Sequence, residues 1–171
     1  QEEVGYADPY IWKLNLMPRS SEMPLEHVFK PIMVNKTEFR NRVVRSAHGT
    51  GLGKGTINDD LIAYHEARAR GGVAMSILEA SSVHPSSGAG SVPAFSDEMI
   101  SGYAKLANAV HKQGMVMMQQ LFHQGAHAIP TDGSPPWAPS AIPSVKHLRA
   151  SEGQGEIPVA MTQNMIDEIV E

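Results

Sequence analysis

Apolar segments alternate with amphipathic segments along this chain. In residues 115–122, six of eight side chains are apolar, and the chain then continues with His, Gln and Gly. Residues 73–83 form a second apolar segment, and residues 41–48 form a shorter one centred on Val43 and Val44. Apolar runs of this kind are typical of strands that are buried on both faces of a parallel sheet. The pattern therefore predicts three such strands.

A segment with helical spacing follows each predicted strand. Residues 58–70 have this spacing and end at two glycines, which commonly terminate helices. Ser96 is the predicted N-cap of a second helix that extends to about residue 113, and Thr162 is the predicted N-cap of a third over residues 163–171. Strands that alternate with helices in this way predict right-handed βαβ units and a parallel sheet.

Three further segments complete the predicted organisation. Residues 1–27 are predicted to be an arm packed on a neighbouring surface, with a lid or partner-binding arm as the alternative. Residues 29–39 alternate around Asn35 and Lys36, which predicts a short hairpin. Residues 124–160 hold six of the chain's 12 prolines and are predicted to be a long loop. Because this loop follows a strand end where α/β proteins bind ligands, its length is interpreted as functional.

Composition narrows the class of protein. The chain has 171 residues with 42% hydrophobic and 19% charged content, which predicts one globular domain. A net charge of −4 gives no reason to expect a nucleic-acid partner. The absence of cysteine excludes disulfides, thiol catalysis and iron–sulfur clusters ligated by this chain. No apolar run reaches the roughly 20 residues of a membrane helix, and no signal peptide is visible, so we expect a cytoplasmic protein without membrane partners.

Residues 49–55 contain four glycines directly after a predicted strand, which suggests a nucleotide-binding loop. The spacing does not match the dinucleotide or the P-loop signature. The following helix begins with Asp59 and Asp60, whose charges would repel a phosphate at its N-terminus. The segment is therefore interpreted as a flexible connection between strand and helix.

Polar side chains at the predicted strand ends are the candidates for ligand contacts. His48, His123 and His127 follow strand ends, and they are candidate substrate-side residues, a zinc site or ordinary histidines. Gln119 and Gln120 interrupt an apolar strand, and because neighbours in a strand point to opposite faces, one faces the helices and the other the ligand side. A buried pair between Arg45 and Glu79 is a further hypothesis.

Six short segments, in order, are similar to those of the Old Yellow Enzyme-like NADH:flavin oxidoreductases, and the resemblance covers residues 28–171. Residues 47–48 and 125–128 look most similar to the trimethylamine dehydrogenase and dienoyl-CoA reductase branch. The six segments are Phe29-Lys30-Pro31-Ile32, Asn41-Arg42-Val43-Val44, Glu79-Ala80-Ser81-Ser82-Val83, Phe95-Ser96-Asp97-Glu98, Gln120-Leu121-Phe122-His123 and Ala138-Pro139-Ser140-Ala141-Ile142.

The resemblance implies a fold and a site. The fold would be the N-terminal part, about three βα units, of a (β/α)8 TIM barrel that binds FMN at the carboxyl ends of its strands. Ala80 would approach the flavin, and the amide of Gln120, which is both donor and acceptor, would bind its pyrimidine edge. The residues implied to lie along the flavin after the first strand are Ser46, Ala47, His48 and Gly49.

Two departures from the family qualify this interpretation. The amine dehydrogenases attach FMN through a cysteine that aligns with Gly49, so the resemblance implies non-covalent FMN here, with no metal ligated by the chain. The chain also holds only three of eight barrel strands, and a barrel of this type needs about 250 residues. We therefore expect either that the rest of the barrel lies on a complementary chain, making a hetero-oligomer, or that the chain is truncated.

The expected activity follows from the resemblance. It is hydride transfer between flavin and a small organic substrate, either oxidation of an amine or reduction of an activated C=C bond, with NAD(P)H as the candidate reductant. The alternative is a non-catalytic half-barrel that serves as a scaffold or assembly subunit without flavin.

Overall fold

The structure, a computed structural model, describes residues 25–88, 92–130, 133–150 and 156–171. The predicted arm over residues 1–27 lies almost entirely outside the described residues. The helices in these ranges are α1 (Glu26–Phe29), α2 (Asp59–Arg70), α3 (Ile100–His111), α4 (Val145–Ala150) and α5 (Gln163–Val170). The strands are β1 (Ile32–Val34), β2 (Thr37–Phe39), β3 (Val44–Arg45), β4 (Met75–Ser82), β5 (Val92–Pro93), β6 (Val116–Phe122), β7 (Trp137–Ala138) and β8 (Val159–Ala160).

The main sheet is parallel and is built around β4, as predicted. β6 pairs with β4 over its whole length, while β3 pairs with Met75 and Ser76 at the beginning of β4. β5 pairs with Ser81 and Ser82 at the end of β4. Because β6 takes one edge of β4 throughout, β3 and β5 share the other edge. With helices between its strands, the chain has the fold of the first βα units of a (β/α)8 barrel.

The predicted strand over residues 41–48 was too long at both ends. Before β3, the Asn41 side chain donates to the Gly72 carbonyl (2.7 Å) and accepts from the Val43 N–H (3.0 Å), so the chain makes a side-chain turn there. After β3, residues 46–48 leave the sheet, because the pairing with β4 ends at Arg45 and Ser76. Farther along the same edge, Ser81 and Ser82 pair with β5, a two-residue strand that the sequence pattern did not indicate.

The core lies between the sheet and helices α2 and α3. Its buried members include side chains from both helices and from β4: Ile57, Leu61, Ala69, Leu78, Val92, Leu106, Val110 and Met115. The opposite face of the sheet is open, with Val44 51% and Met118 46% exposed. The two helices thus cover one face only, and the other face carries uncovered apolar side chains.

The helix ends agree with the prediction in two of three cases. The Asn58 side chain accepts from the Leu61 N–H (3.0 Å) at the beginning of α2, and Thr162 accepts from the Met165 N–H (3.4 Å) at the beginning of α5. The predicted cap at Ser96 was wrong, because its side chain makes no capping hydrogen bond. A 3₁₀ turn (Asp97–Met99) follows Ser96 instead, and α3 begins only at Ile100.

The predicted hairpin is confirmed, and its end holds the helices together. β1 and β2 are antiparallel, and Asn35 takes the left-handed conformation (φ 53°) that a tight turn needs. Arg40, the next residue after β2, donates to the carbonyls of Ala69 (2.7 Å), Val73 (2.6 Å) and Gln113 (2.6 Å). A cation there complements the carboxyl ends of α2 and α3, so Arg40 ties both helices to the hairpin.

The description of residues 124–160 as a single loop was wrong. The segment contains a 3₁₀ turn (Gly125–His127), helix α4, and strands β7 and β8, which pair in parallel. Pro136 and Pro158 are fully buried and directly precede the two strands, where a missing N–H costs no ladder bond. The proline content that suggested a loop therefore marks strand beginnings.

Within the described ranges, none of the helices combines the length and the apolar character that crossing a bilayer requires.

Candidate functional site

The carboxyl ends of β4 and β6 lie side by side at one end of the sheet, because the two strands are parallel and paired as far as Ser82 and Phe122. The pairing register places Ala80 of β4 directly opposite Gln120 of β6. β3 has the same direction but ends earlier, with Arg45 opposite Ser76. The segment after β3 continues to Thr50, whose N–H donates to the Glu79 carboxylate beside Ala80. The structure thus brings Ala80 and Gln120 together and places residues 46–49 between the end of β3 and that contact.

The two neighbouring glutamines point to opposite faces, as predicted. Gln119 is half-buried on the helix side, and its Nε2 donates to the Tyr103 hydroxyl of α3 (2.8 Å). That hydroxyl donates in turn to the Pro93 carbonyl (3.1 Å), and burial raises the pKa of Tyr103. Gln120 is exposed on the open face of the sheet. Its amide therefore presents a donor and an acceptor at the strand end, as an imide-like ligand edge requires.

A β-bulge at Glu79 holds the glycine-rich loop in place. The pairing of β4 with β6 shifts between Leu78 and Ala80, which leaves Glu79 as the extra residue. Glu79 is buried, and its carboxylate accepts from the backbone N–H of Thr50. The loop over residues 49–55 is therefore anchored to β4 and is not the freely flexible connection that its composition indicated.

Arg45 does not meet Glu79, contrary to one hypothesis from the sequence. Its Nη1 donates to the Ile77 carbonyl (3.0 Å), and its Nη2 lies 3.0 Å from Nε2 of His48. The Tyr64 hydroxyl of α2 lies 3.2 Å from the same His48 nitrogen. Because a guanidinium can only donate, Nε2 of His48 must be the acceptor. The neutral ring then carries its proton on Nδ1, so the exposed His48 offers one uncharged donor.

The other residues of the segment that follows β3 are exposed or only half-buried. Ser46 and Gly49 are exposed and Ala47 is half-buried. A Cβ atom at Gly49 would meet no other atom within 4 Å. Glycine is thus not required there by packing, and the space beside the backbone can accommodate a flat ring system. Together with the outward amide of Gln120, this arrangement fits a flavin.

His123 lies in a hydrogen-bonded chain with other protein groups. Its Nδ1 accepts from the Gly125 N–H (3.0 Å), and its Nε2 lies 2.9 Å from the Ser86 Oγ. Burial, and secondarily the neighbouring His84, lowers the pKa of His123. Both ring nitrogens are thus engaged within the chain. Any influence of His123 on a ligand would pass through the loop that contains it.

The three candidate histidines do not gather into one cluster. His48 contacts Tyr64 on α2, His123 contacts Ser86 in the loop after β4, and His127 is exposed in the 3₁₀ turn after β6. Throughout the described ranges, no group of three or more His, Asp or Glu side chains has the proximity that a metal ion needs. The zinc alternative therefore has no geometric support.

Sequence reasoning missed several residues that shape this edge. Tyr64 faces Arg45 and His48 from α2, and Arg68 stacks 3.3 Å from the centre of its ring. The helical spacing of Tyr64 and Arg68, four residues apart, was a usable signal. Ser86 gave no such signal, because its partners His84 and His123 come together only in the folded chain.

Comparison with known proteins gives consistent matches. The sequence profile of the NADH:flavin oxidoreductase / NADH oxidase family matches residues 27–171. An NADH oxidase of Thermoanaerobacter brockii is 33% identical over 152 residues, which are 85% of this chain and 22% of that protein. An N,N-dimethylglycine/sarcosine dehydrogenase of Chromohalobacter salexigens is 34% identical over 109 residues, which are 60% of this chain and 16% of that protein.

A solved structure shows the same fold. The Old Yellow Enzyme from Pichia sp. AKU4542 superimposes with a TM-score of 0.74 and 29% identity, over 83% of this chain and 39% of that one. In each of these comparisons the chain spans less than half of the length of its relative.

Proposed function

This chain belongs to the NADH:flavin oxidoreductase / NADH oxidase family, and on that premise we propose that it is the FMN-binding first part of an oxidoreductase. The reaction would pass a hydride between the flavin and a small organic substrate. The observation that carries the proposal is the position of Gln120, which lies opposite Ala80 at the strand ends and presents its amide on the open face. If further strands cover that face, a buried amide there needs a hydrogen-bond partner, and a bound ligand would supply it.

The chain's own residues would bind and orient the cofactor. Gln120 would hydrogen-bond the pyrimidine edge of FMN, Ala80 would leave room for the ring, and residues 46–49 would lie along it. Because the chain has no cysteine, FMN would be bound non-covalently. When bound, the flavin supplies the hydride chemistry, and the protein supplies orientation and electrostatics. His48 would donate from Nδ1 to an acceptor on the flavin or the substrate.

The relatives support two directions of reaction. The NADH oxidase and an NADPH dehydrogenase of Bacillus subtilis support NAD(P)H as the reductant, which would serve the proposed reduction of an activated C=C bond. The dimethylglycine/sarcosine dehydrogenase supports oxidation of an amine or a related substrate. Both reactions use the same hydride exchange at the flavin, so the residues of this chain would serve either one.

The open face of the sheet would be buried by further barrel strands. Val44 and Met118 are exposed there, and exposed apolar surface of this kind is typical of an interface. We propose that the remaining βα units, on the same polypeptide or on a complementary chain, cover this face and supply the loops for the flavin phosphate.

Purification of the assembled protein tests this function directly. We expect a yellow preparation that releases FMN on denaturation, with intact masses that show whether a second chain is present. Replacing Gln120 by Leu should weaken FMN binding by about 1–3 kcal/mol, because the flavin edge loses its hydrogen-bond partner. Gln119→Leu is the matched control, since that amide binds Tyr103 on the other face. An unchanged FMN dissociation constant in Gln120→Leu would rule out the proposed role. A colourless assembled barrel would favour the scaffold alternative.

A further inference from the structure

Four side chains form a continuous hydrogen-bonded chain beside the proposed flavin site. Glu168 Oε1 on α5 lies 3.2 Å from His84 Nε2, and His84 Nδ1 lies 2.7 Å from Ser86 Oγ. The Ser86 hydroxyl then lies 2.9 Å from His123 Nε2. Ser86 is only 7% exposed, whereas the Glu168 side chain is 59% exposed. This hydrogen-bonded network thus extends from the exposed Glu168 through the buried Ser86 to His123, which directly follows β6.

Two backbone amides determine which atom donates in each hydrogen bond of this network. The Gly125 N–H donates to His123 Nδ1 (3.0 Å), so the proton of neutral His123 is on Nε2 and donates to Ser86. The Ser86 N–H donates to His84 Nδ1 (3.2 Å), so the proton of neutral His84 is on Nε2 and donates to Glu168. Ser86 Oγ–H then donates to His84 Nδ1. Every donor thus meets an acceptor while both rings are neutral.

At the His123 end of the network, both ring nitrogens are already engaged in hydrogen bonds. A proton relay would need His123 to accept a proton from the ligand at Nδ1, but that lone pair is taken by the Gly125 N–H two residues further on. The geometry therefore favours a role in positioning over a role in proton transfer.

The positioned parts are the loops at the strand ends. Ser86 belongs to the 3₁₀ turn Pro85–Ser87 after β4, and His123 begins the loop after β6. A second bond joins the same two loops, from the Gln124 N–H to Ser87 Oγ (3.1 Å). His84 also stacks on Trp137 of β7, with ring centres 4.9 Å apart. The network therefore joins the loops after β4 and β6 to β7 and α5.

Protonation of His123 would oppose this arrangement. A proton on His123 Nδ1 would face the Gly125 N–H, so the new donor would meet a donor. The neighbouring titratable ring is His84, which shares its groove with the carboxylates of Asp97, Glu168 and Glu171. A proton on His84 Nδ1 would still meet an acceptor, because the Ser86 hydroxyl oxygen lies 2.7 Å away.

We propose that Glu168, His84 and Ser86 are positioning residues for the proposed flavin site. Through His123 they hold the loop after β6 against the loop after β4, and they do so only while the His123 imidazole is neutral. Acidification should therefore loosen the loop beside Gln120 and weaken the binding of FMN. The effect on FMN rests on the proposed function.

The test uses the assembled flavoprotein and measures two quantities between about pH 8 and about pH 5, the range in which histidine titrates. Amide hydrogen exchange of residues 84–88 and 122–128, corrected for intrinsic rates, should increase on the order of tenfold at the acidic end. That factor corresponds to about 1.4 kcal/mol, the scale of one lost hydrogen bond. The FMN dissociation constant should increase over the same pH range.

Three variants separate positioning from simple packing. Ser86→Ala should raise exchange at all pH values and flatten the pH profile. Glu168→Ala removes the acceptor of the His84 Nε2–H, so exchange of both loops should already be raised at about pH 8, even if Ser86→Ala fails to fold. His111→Gln, an exposed histidine on α3, is the control and should behave as the wild type.

A pH-independent exchange rate in the wild type would overturn the proposal, as would unchanged exchange of both loops at about pH 8 in Glu168→Ala. Exchange that responds to pH while the FMN affinity stays constant would overturn the link to the flavin site. Failure to bind FMN at any pH would refute the proposed function alone, because exchange at the two loops would still test the positioning network.

Discussion

The two faces of the main sheet differ in how their side chains are satisfied. On the helix side, Leu78 is 1% exposed against α3, and Gln119 binds Tyr103. On the other side, Met118 is 46% exposed and Gln120 is also exposed. These residues alternate on two paired strands, so the difference lies in what covers each face. The closed face stabilises this chain, whereas the open face is suited to bind a ligand and further strands.

The largest expected effect concerns the chain on its own. Residues 1–171 expressed alone should be insoluble, molten or oligomeric and should not retain FMN, because the open face and the strand edges stay exposed. At roughly 25 cal/mol per Å², leaving about 1,000 Å² of apolar surface exposed forfeits about 25 kcal/mol, more than the net stability of a typical domain. Circular dichroism melts, size exclusion and flavin absorbance would measure this.

The control for that experiment is the addition of the remaining barrel, which should restore solubility, a cooperative melt and yellow colour together. If the isolated chain instead folds cooperatively as a monomer, the open face does not require further strands to bury it. The proposed difference between the two faces would then be wrong.

The second effect compares one residue from each face. Leu78→Ala should lower the free energy of unfolding of the assembled protein by about 2–5 kcal/mol, the usual cost of a buried Leu truncation. Met118→Ala should approach a similar cost only if further strands bury that side chain in the assembly. Denaturant unfolding of both variants measures the difference. A negligible cost for Met118→Ala in the assembled protein would show that the open face stays exposed.

The third effect is the pH dependence of the closed face. His65 of α2 is fully buried, and burial first, then Arg45, Arg68 and His48, lowers the pKa of His65 from 6.5 to about 4. The unfolded chain therefore binds the proton more readily than the folded one between these values. The contribution of neutral His65 to the free energy of unfolding is complete above about pH 6.5. It decreases as the pH falls to about 4, by on the order of 3 kcal/mol.

Denaturant unfolding of the assembled protein across this pH range would test the His65 contribution. His65→Gln should be less stable near neutral pH but should lose less stability on acidification, whereas His111→Gln should follow the wild type. An equal acid response in His65→Gln and the wild type would contradict the assignment to His65.

The smallest effect concerns the exposed His48 in the segment after β3. Replacing His48 by Ala removes the acceptor that Arg45 and Tyr64 share, so stability should change by only about 1 kcal/mol. The ligand-induced spectral shift of the flavin should nevertheless decrease, because the Nδ1 donor is lost. Absorbance titrations with a His111→Ala control measure this. Unchanged turnover and unchanged spectra would make His48 a structural residue.

Local signals in the sequence were sufficient for much of the fold. Alternation of strands and helices, the hairpin at Asn35, the helix over residues 58–70 and the cap at Thr162 depend on neighbouring residues, and all are confirmed. The cap at Ser96 was wrong because a 3₁₀ turn competes with the first turn of α3. Residues 124–160 were misjudged because buried prolines before strands have the same composition as prolines in loops.

The sequence by itself determined the family, the parallel order of the strands and the alternation that sends Gln119 and Gln120 to opposite faces. The family resemblance assigned Gln120 to the ligand side, but only the tertiary structure decided where Glu79 is extruded as a bulge and that Arg45 contacts His48. It also joined His84 to Glu168 across 84 residues. Propensities and caps act over a few positions, whereas hydrogen-bond partners on different elements are selected by packing, which the order of residues encodes only through the complete fold.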